Sequence, residues 1–199
     1  QNYKHPKRKT KVVFVQLGSP SEPTTKALRK YLRKFLGDPR VVDINPWLWK
    51  IILNFFVLPF RPKKSAKLYA RIWDGESFPL ITNTRDFTTN VSEELKKIDP
   101  EGYVEVNHAF LLSPPYVNEV YDSWEEDLKK GIGATKLLVI PMFPQYSEST
   151  IASGIDALAK EISKRVKIPT FEVITNFHRT HAFIDNSVNQ VDTKLEELI

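Results

Sequence analysis

The residues best suited to chemistry stand in three places. Ser147, Ser149 and Thr150 fall where a helix is predicted to start after a buried strand. Their hydroxyls, and the free N–H groups of a first helical turn, would face the strand ends; that geometry suits a phosphate or a carboxylate, and ordinary helix capping uses the same residue types. Phe143 and Tyr146 bracket Pro144 and Gln145 and give this loop an aromatic side. His178 and His181, three apart at the head of the last predicted helix, form a pair that can hold a metal or supply an axial ligand, though no third ligand is evident. His108 lies in a predicted strand and reads as a buried imidazole, while His5 belongs to the amino-terminal tail. The third place is 44–60, where Trp47, Trp49, Phe55, Phe56 and Phe60 crowd together and Arg61, Lys63 and Lys64 follow at once. So apolar a segment either packs as a core helix or forms a lip over a large flat ligand or a bilayer surface. The cations beside it suit a ligand carrying carboxylates.

Other chemistries are excluded. There is no GxGxxG and no GxxxxGK[ST], and Gly18 is the only glycine in the first strand-to-helix loop, so dinucleotide and triphosphate binding have no support. No GxSxG elbow marks a serine nucleophile. Zero cysteine rules out disulfides, thiolate metal sites and iron–sulfur clusters ligated by this chain.

The chain has 199 residues, 41% of them hydrophobic, which is enough for one domain with a sizeable core. Its net charge of +5 is carried by Lys4, Lys7, Arg8, Lys9 and Lys11; residues 12–199 balance at 24 cations and 24 acids. Residues 1–11 therefore read as a basic disordered arm able to touch nucleic acid or anionic lipid, but the neutral body gives no sign of a nucleic-acid partner. The chain begins with Gln and not Met, so an upstream segment that was removed or never included is expected. The longest greasy stretch, Ile44–Phe60, is broken by Pro46, Lys50, Asn54 and Pro59 and is too short to span a bilayer, and no signal-peptide pattern is seen. The expected location is cytoplasmic, peripheral to a membrane if the lip faces one.

These groups need a frame. Strands are predicted at Lys11–Leu17, Tyr103–Ala109, Lys136–Ile140 and Thr170–Ile174. Helices are predicted at Thr24–Leu36, Pro46–Leu58, Lys63–Trp73, Thr84–Lys97, Tyr116–Lys130, Ile151–Val166 and His181–Ile199. On the first helix Ala27, Leu28, Tyr31, Leu32, Phe35 and Leu36 share the apolar face, and Lys26, Arg29, Lys30, Arg33 and Lys34 cover the other. Short apolar strands separated by helices imply an α/β domain of the flavodoxin or Rossmann type over 12–199, a four-stranded parallel sheet with helices on both faces, expected in the order 2-1-3-4. Ligands in such sheets sit beyond the carboxyl ends of the strands, here Gly18–Pro23, Phe110–Pro115, Pro141–Thr150 and Thr175–Thr180.

Four stretches together resemble the ferrochelatases: FVQLGSP at 14–20, YLRKFLGDPRVV at 31–42, LPFRPKKSAKLYARIW at 58–73 and PMFPQYSEST at 141–150. They come in that family's order and at its spacing, and the resemblance covers residues 12–199. It implies the family reaction, insertion of Fe2+ into protoporphyrin to give protohaem, in a cleft between two similar α/β domains of which this chain is the amino-terminal one. No built-in cofactor is implied; porphyrin or haem is the ligand and Fe2+ the family's substrate. The excursion after the first strand, about 44–73, would be a lip over the macrocycle that faces a membrane. By position, Gln16, Gly18, Pro20, Trp47 and Phe56 would line the porphyrin face with Phe143 and Tyr146. Arg61 would stand near the propionates, and Ser147, Ser149 and Thr150 would floor the cleft.

The chain departs from the family pattern in ways that matter. The metal-inserting histidine, in a Ser-x-His-x-x-Pro context, and its acidic partner are expected beyond Ile199, and neither context occurs here. An Arg-Tyr-Gly-x-Pro stretch is represented by Leu111, Leu112, Ser113, Pro114 and Pro115, and a tyrosine by Phe143. Insertion must remove two pyrrole protons from a distorted macrocycle. The expectation is therefore a protein that holds porphyrin or haem without catalysis, with His178 or His181 as axial ligand. The alternatives are the amino-terminal half of an active ferrochelatase and a small chelatase that rebuilds its cleft as a homodimer.

Overall fold

The computed structural model describes residues 9–131 and 133–198. Four strands, β1 (Thr10–Gln16), β2 (Val104–Phe110), β3 (Lys136–Pro141) and β4 (Thr170–Val173), form one sheet in the order β2-β1-β3-β4. Every pairing is parallel, with Val13 beside both Asn107 and Val139, and Val139 beside Val173. This is the expected order. The parallel pairing suits β-branched runs that can be buried on both faces only when helices cover both.

The helices are α1 (Thr25–Leu36), α2 (Pro46–Ile52), α3 (Arg61–Tyr69), α4 (Pro79–Ile98), α5 (Val117–Lys129), α6 (Ser153–Ile162) and α7 (His181–Glu196). On one face of the sheet Val13, Val15, Ala109, Leu137 and Val139 pack with Leu158 of α6 and with Val117 and Val120 of α5. On the other, Phe14 meets Phe87 of α4 edge-to-face, 5.0 Å between centroids. A second cluster joins Tyr31, Leu32 and Leu36 of α1 to Leu53 and Leu58.

Several boundaries differ from expectation. β1 starts at Thr10, and Lys11 is only 1% exposed, with its Nζ 3.4 Å from Glu105 and 3.6 Å from Asp127. Lys11 therefore belongs to the domain and not to the arm, as do Thr10 in the strand and Lys9, whose carbonyl accepts from the N–H groups of Thr135 and Lys136 at 2.9 and 3.3 Å; the rest of that prediction, His5 included, falls on residues 1–8, outside the described residues. α4 begins at Pro79, five residues before the predicted start, because proline suits the first turn of a helix, where its missing N–H has no partner to lose. The predicted helix 46–58 is split into α2 and a π-helical turn, Leu53–Val57. A second π-helical turn, Glu148–Ala152, leads into α6.

The greasy segment is divided between core and surface. Leu53 and Leu58 turn inward onto α1. Trp47, Phe55, Phe56 and Phe60 are 66–78% exposed. Among the described residues no helix is long and apolar enough to cross a membrane.

Candidate functional site

The loops after β1 and β2 are locked together. Gly18 has φ +92°, and a Cβ there would stand 2.3 Å from Ser113 Oγ. The Ser19 N–H donates to that hydroxyl at 3.3 Å, and the N–H groups of Leu111 and Leu112 donate to the carbonyls of Gln16 and Leu17 at 3.0 and 2.9 Å. The Tyr31 hydroxyl donates to the Gly18 carbonyl at 3.3 Å, and burial pushes its ionisation well above the ordinary tyrosine range. Gln16 accepts from its neighbour's N–H, Leu17, at 2.9 Å, so its amide oxygen is folded back onto the backbone. Pro20 is buried.

Two cavities flank these loops and share Leu112 and Tyr116 as a wall. One, about 270 Å³, is lined by Leu17, Leu111, Val41, Ser149, Ser153 and Asp156. The other, about 330 Å³, holds Pro20, Lys30, Tyr31, Lys34, Trp73 and Ser113. Arg40, in the loop after α1, closes onto Asp156 of α6 through Nε–Oδ2 at 2.5 Å and Nη2–Oδ1 at 3.0 Å. That bidentate bond holds the Asp156 carboxyl below the usual carboxylate range.

After β3, Phe143 and Pro144 are half-buried and Tyr146 is exposed. The Pro144 carbonyl accepts from the N–H groups of Phe177 and His178 at 3.0 and 3.1 Å. His178 Nδ1 also lies 3.2 Å from that oxygen. With Nδ1 as donor, Nε2 is left as the ring's acceptor. Ser147 precedes the π-helical turn without its side chain capping it; its Oγ lies 3.1 Å from Ser149 Oγ, and Thr150 Oγ1 reaches the Ser147 carbonyl at 3.5 Å. The capping role weighed for these hydroxyls is thus not the one they play.

On the lip, Phe56, Val57, Phe60, Arg61, Lys64 and Leu68 line an open groove of about 620 Å³. Trp47 is outside it, with Lys50 Nζ 5.9 Å from its ring centroid.

The fold therefore gathers the predicted residues into separate groups. Gly18 and Pro20 meet the β2 loop, Ser149 joins the first cavity, and Phe56 sits with Arg61. Trp47, Tyr146 and Ser147 line none of these cavities. His181 is exposed at the start of α7, and no group of three His, Cys, Asp or Glu able to hold a metal exists among the described residues. His108 is half-buried where the sequence reading expected a buried imidazole, and burial, with Arg85 nearby, lowers its pKa. Sequence reasoning missed Arg40, Asp156, Lys30 and Lys34. The two lysines, four apart on α1, carry a readable signal as a flank beside the apolar face; Arg40 and Asp156 are 116 residues apart and carry none.

The ferrochelatase family model matches residues 9–199, the whole of the sheet and its loops. The chain belongs to the ferrochelatase family. It is 40% identical to the ferrochelatase of Idiomarina loihiensis over 181 residues, 91% of this chain and 48% of that protein. It is 36% identical to the ferrochelatase of Marinobacter nauticus over 198 residues, 98% of this chain and 52% of that one. A coproporphyrin III ferrochelatase of Streptococcus mutans is 37% identical over 177 residues, 89% and 53%. The chain thus spans about half the length of the curated relatives it matches.

Proposed function

We propose that this chain is a tetrapyrrole-holding protein of haem biosynthesis that binds porphyrin or haem and does not insert the metal by itself. The observation that carries the reading is the lip groove: a family member presents Phe56 and Phe60, 66% and 73% exposed, beside Arg61 and Lys64. An apolar slot rimmed by cations suits a flat macrocycle with carboxylate substituents. Gln16, Gly18, Pro20, Trp47, Phe143, Tyr146, Ser147, Ser149 and Thr150 would complete the porphyrin face, with His178 Nε2 or His181 as axial ligand when haem is bound. Fe2+ is the substrate of the family reaction. Against catalysis by this chain stand Leu111 and Leu112, which line the strand-end cavity with hydrocarbon. Neither can accept a pyrrole proton.

A second reading is favoured by the coverage. The chain matches about half of each relative, so it also fits the amino-terminal half of an active ferrochelatase, completed by the other half or by a second copy. The exposed aromatics of 44–60 would then rest against a membrane surface as well as the ligand, placing the protein in the cytoplasm at a membrane periphery.

One experiment separates these. The chain is titrated with protoporphyrin, and ferrous iron is then added anaerobically in the same cuvette. Saturable binding with no haem formed, unchanged when the complementary carboxy-terminal half is added, supports the holding protein; haem formed only after that addition selects the second reading. No saturable spectral change, with protoporphyrin or with haem, overturns it. Haem formed faster than in a protein-free blank overturns the assignment of a non-catalytic role.

A further inference from the structure

The second cavity beside the β1 and β2 loops holds charged groups that the tetrapyrrole reading does not use. It lies beyond the carboxyl ends of two adjacent parallel strands, between residues 19–21 after β1 and 112–114 after β2, where parallel sheets receive ligands. Its third side is α1, which contributes Ala27, Lys30, Tyr31 and Lys34, one face of the helix at spacings of three and four. None of the lip-groove residues lines it.

Its polar groups are cations and hydroxyl donors. Lys34 Nζ donates to the Tyr116 hydroxyl at 3.0 Å and stands 4.4 Å from that ring's centroid, which holds the ammonium group at the cavity wall. Neither Lys30 nor Lys34 forms an ion pair with a described residue. Ser19 and Ser113 are buried and yet line the cavity. The Ser113 oxygen accepts the Ser19 N–H, and neither hydroxyl hydrogen has an acceptor among the described residues. Buried donors without a partner are costly, and here they stand beside two uncompensated charges, so an anionic acceptor satisfies both.

The rest of the wall fixes the class of anion. Trp73, Phe78, Ile81, Leu112 and Pro114 are apolar, and a volume of about 330 Å³ is at the lower end of ligand pockets, too small for a whole macrocycle. Glu76, exposed on the turn before α4, is the one acid among the described lining residues. Its charge favours a singly charged carboxylate over a phosphate ester, which carries nearly two charges at neutral pH.

We infer that this cavity is a carboxylate site for a flat apolar acid, with Lys30 and Lys34 as counter-ions and the Ser19 and Ser113 hydroxyls as donors. The carboxylate belongs to a free aromatic acid or to one acid-bearing edge of a larger ring system; the recognition chemistry is the same. The site is separate from the lip groove, so it can fail while the tetrapyrrole reading stands, and stand if that reading fails.

The test is calorimetric titration of the ligand-free chain with indole-3-propionate, a bicyclic monocarboxylate, and with its uncharged primary amide. The acid should bind saturably and the amide at least about tenfold more weakly. K30A with K34A should remove that difference, and E76Q should tighten the acid about two- to threefold, as loss of one exposed like charge does. All three side chains are exposed, so melting temperatures should hold. Protoporphyrin added to the indole complex separates the two sources: displacement makes the natural occupant an edge of the macrocycle, and a complex left intact makes it a free acid. No saturable binding of the indole acid up to about 10 mM overturns the inference. So does equal affinity for acid and amide, or an acid affinity indifferent to K30A with K34A.

Discussion

Arg40 and Asp156, 116 residues apart, form a bidentate ion pair that ties the start of the excursion to the first turns of α6. Asp156 lines the strand-end cavity, so the pair is a brace across its mouth. Both side chains are 38% exposed, and solvent screens what the pair contributes. Arg40 lowers the Asp156 pKa, so the pair's stabilisation is fully present above the unfolded aspartate pKa of about 3.9 and is lost as pH falls through the lower folded value. D156N should lower the melting temperature slightly at pH 7, with the gap to wild type closing below the folded pKa and shrinking in high salt. Thermal melts across pH and ionic strength check it; a gap that widens in acid would refute the brace.

The junction of the β1 and β2 loops should be intolerant of any side chain at residue 18. G18A places a Cβ 2.3 Å from Ser113 Oγ on a backbone at φ +92°, two separate faults. The expected loss is about 1–3 kcal/mol in chemical denaturation. Adding S113G removes that contact but leaves the backbone strain and the approaches to Phe110 Cβ at 3.1 Å and Ser113 N at 3.2 Å, and it takes away the acceptor of the Ser19 N–H, so the double variant should stay well below wild type.

How much of this was legible follows from the range of each interaction. The parallel sheet could be read because VVFV at 12–15 and KLLVI at 136–140 are apolar without alternation, and only a sheet covered on both faces buries such runs; its strand order came with the flavodoxin-type fold and not from the runs. The boundaries of α4 and of the lip were less legible, since Pro79 and the π-helical turn at Leu53–Val57 depend on local hydrogen bonding that periodicity does not encode. Lys11 was read both as a tail cation and as the first residue of a strand; its ion-pair neighbours Glu105 and Asp127 were not legible, because only strand register and α5 bring them near. The candidate site was legible as loops at strand ends and as a cationic, aromatic lip. It was not legible as separate cavities, because Leu112 and Tyr116 become a shared wall only after the β2 loop folds back onto Gly18.

Lys11 offers a test of what a buried charge contributes. Its Nζ is buried and has ion-pair neighbours but no hydrogen bond, so much of the attraction goes to offset desolvation. Glu105 is 53% exposed and Asp127 26%, so both can be solvated when the lysine is gone. K11M should therefore change stability by no more than about 1 kcal/mol, in either direction. A loss of several kcal/mol in urea denaturation would show that the pair is stronger than its geometry implies.

Gly154 sits inside α6 against the sheet, and an added Cβ would meet only Val15 Cγ1, at 3.8 Å. A small void of about 20 Å³ borders the same residue, between Val15, Val117 and Leu158. G154A fills space without a clash and removes backbone freedom from the unfolded chain, so it should stabilise by about 0.5–1 kcal/mol. A higher denaturation midpoint with an unchanged m-value is the expected signature.

The lip separates folding from binding. Phe56 and Phe60 are largely exposed, and the excursion is held by Leu53, Leu58 and the Trp49 Nε1 bond to the Leu36 carbonyl at 2.6 Å. F56S with F60S should therefore leave the melting temperature within a degree or two of wild type, as surface substitutions do. If the groove holds the macrocycle, the same variant loses apolar contact area, and its protoporphyrin Kd should rise at least about tenfold, a difference of about 1.4 kcal/mol. R61A should weaken a dicarboxylate porphyrin more than its dimethyl ester, because only the free acid offers an anion to the guanidinium. Fluorescence-quenching titrations of the variants with both ligands decide the matter. Equal loss for acid and ester would take Arg61 out of the propionate role, and unchanged affinity in F56S with F60S would move the ligand away from the lip altogether.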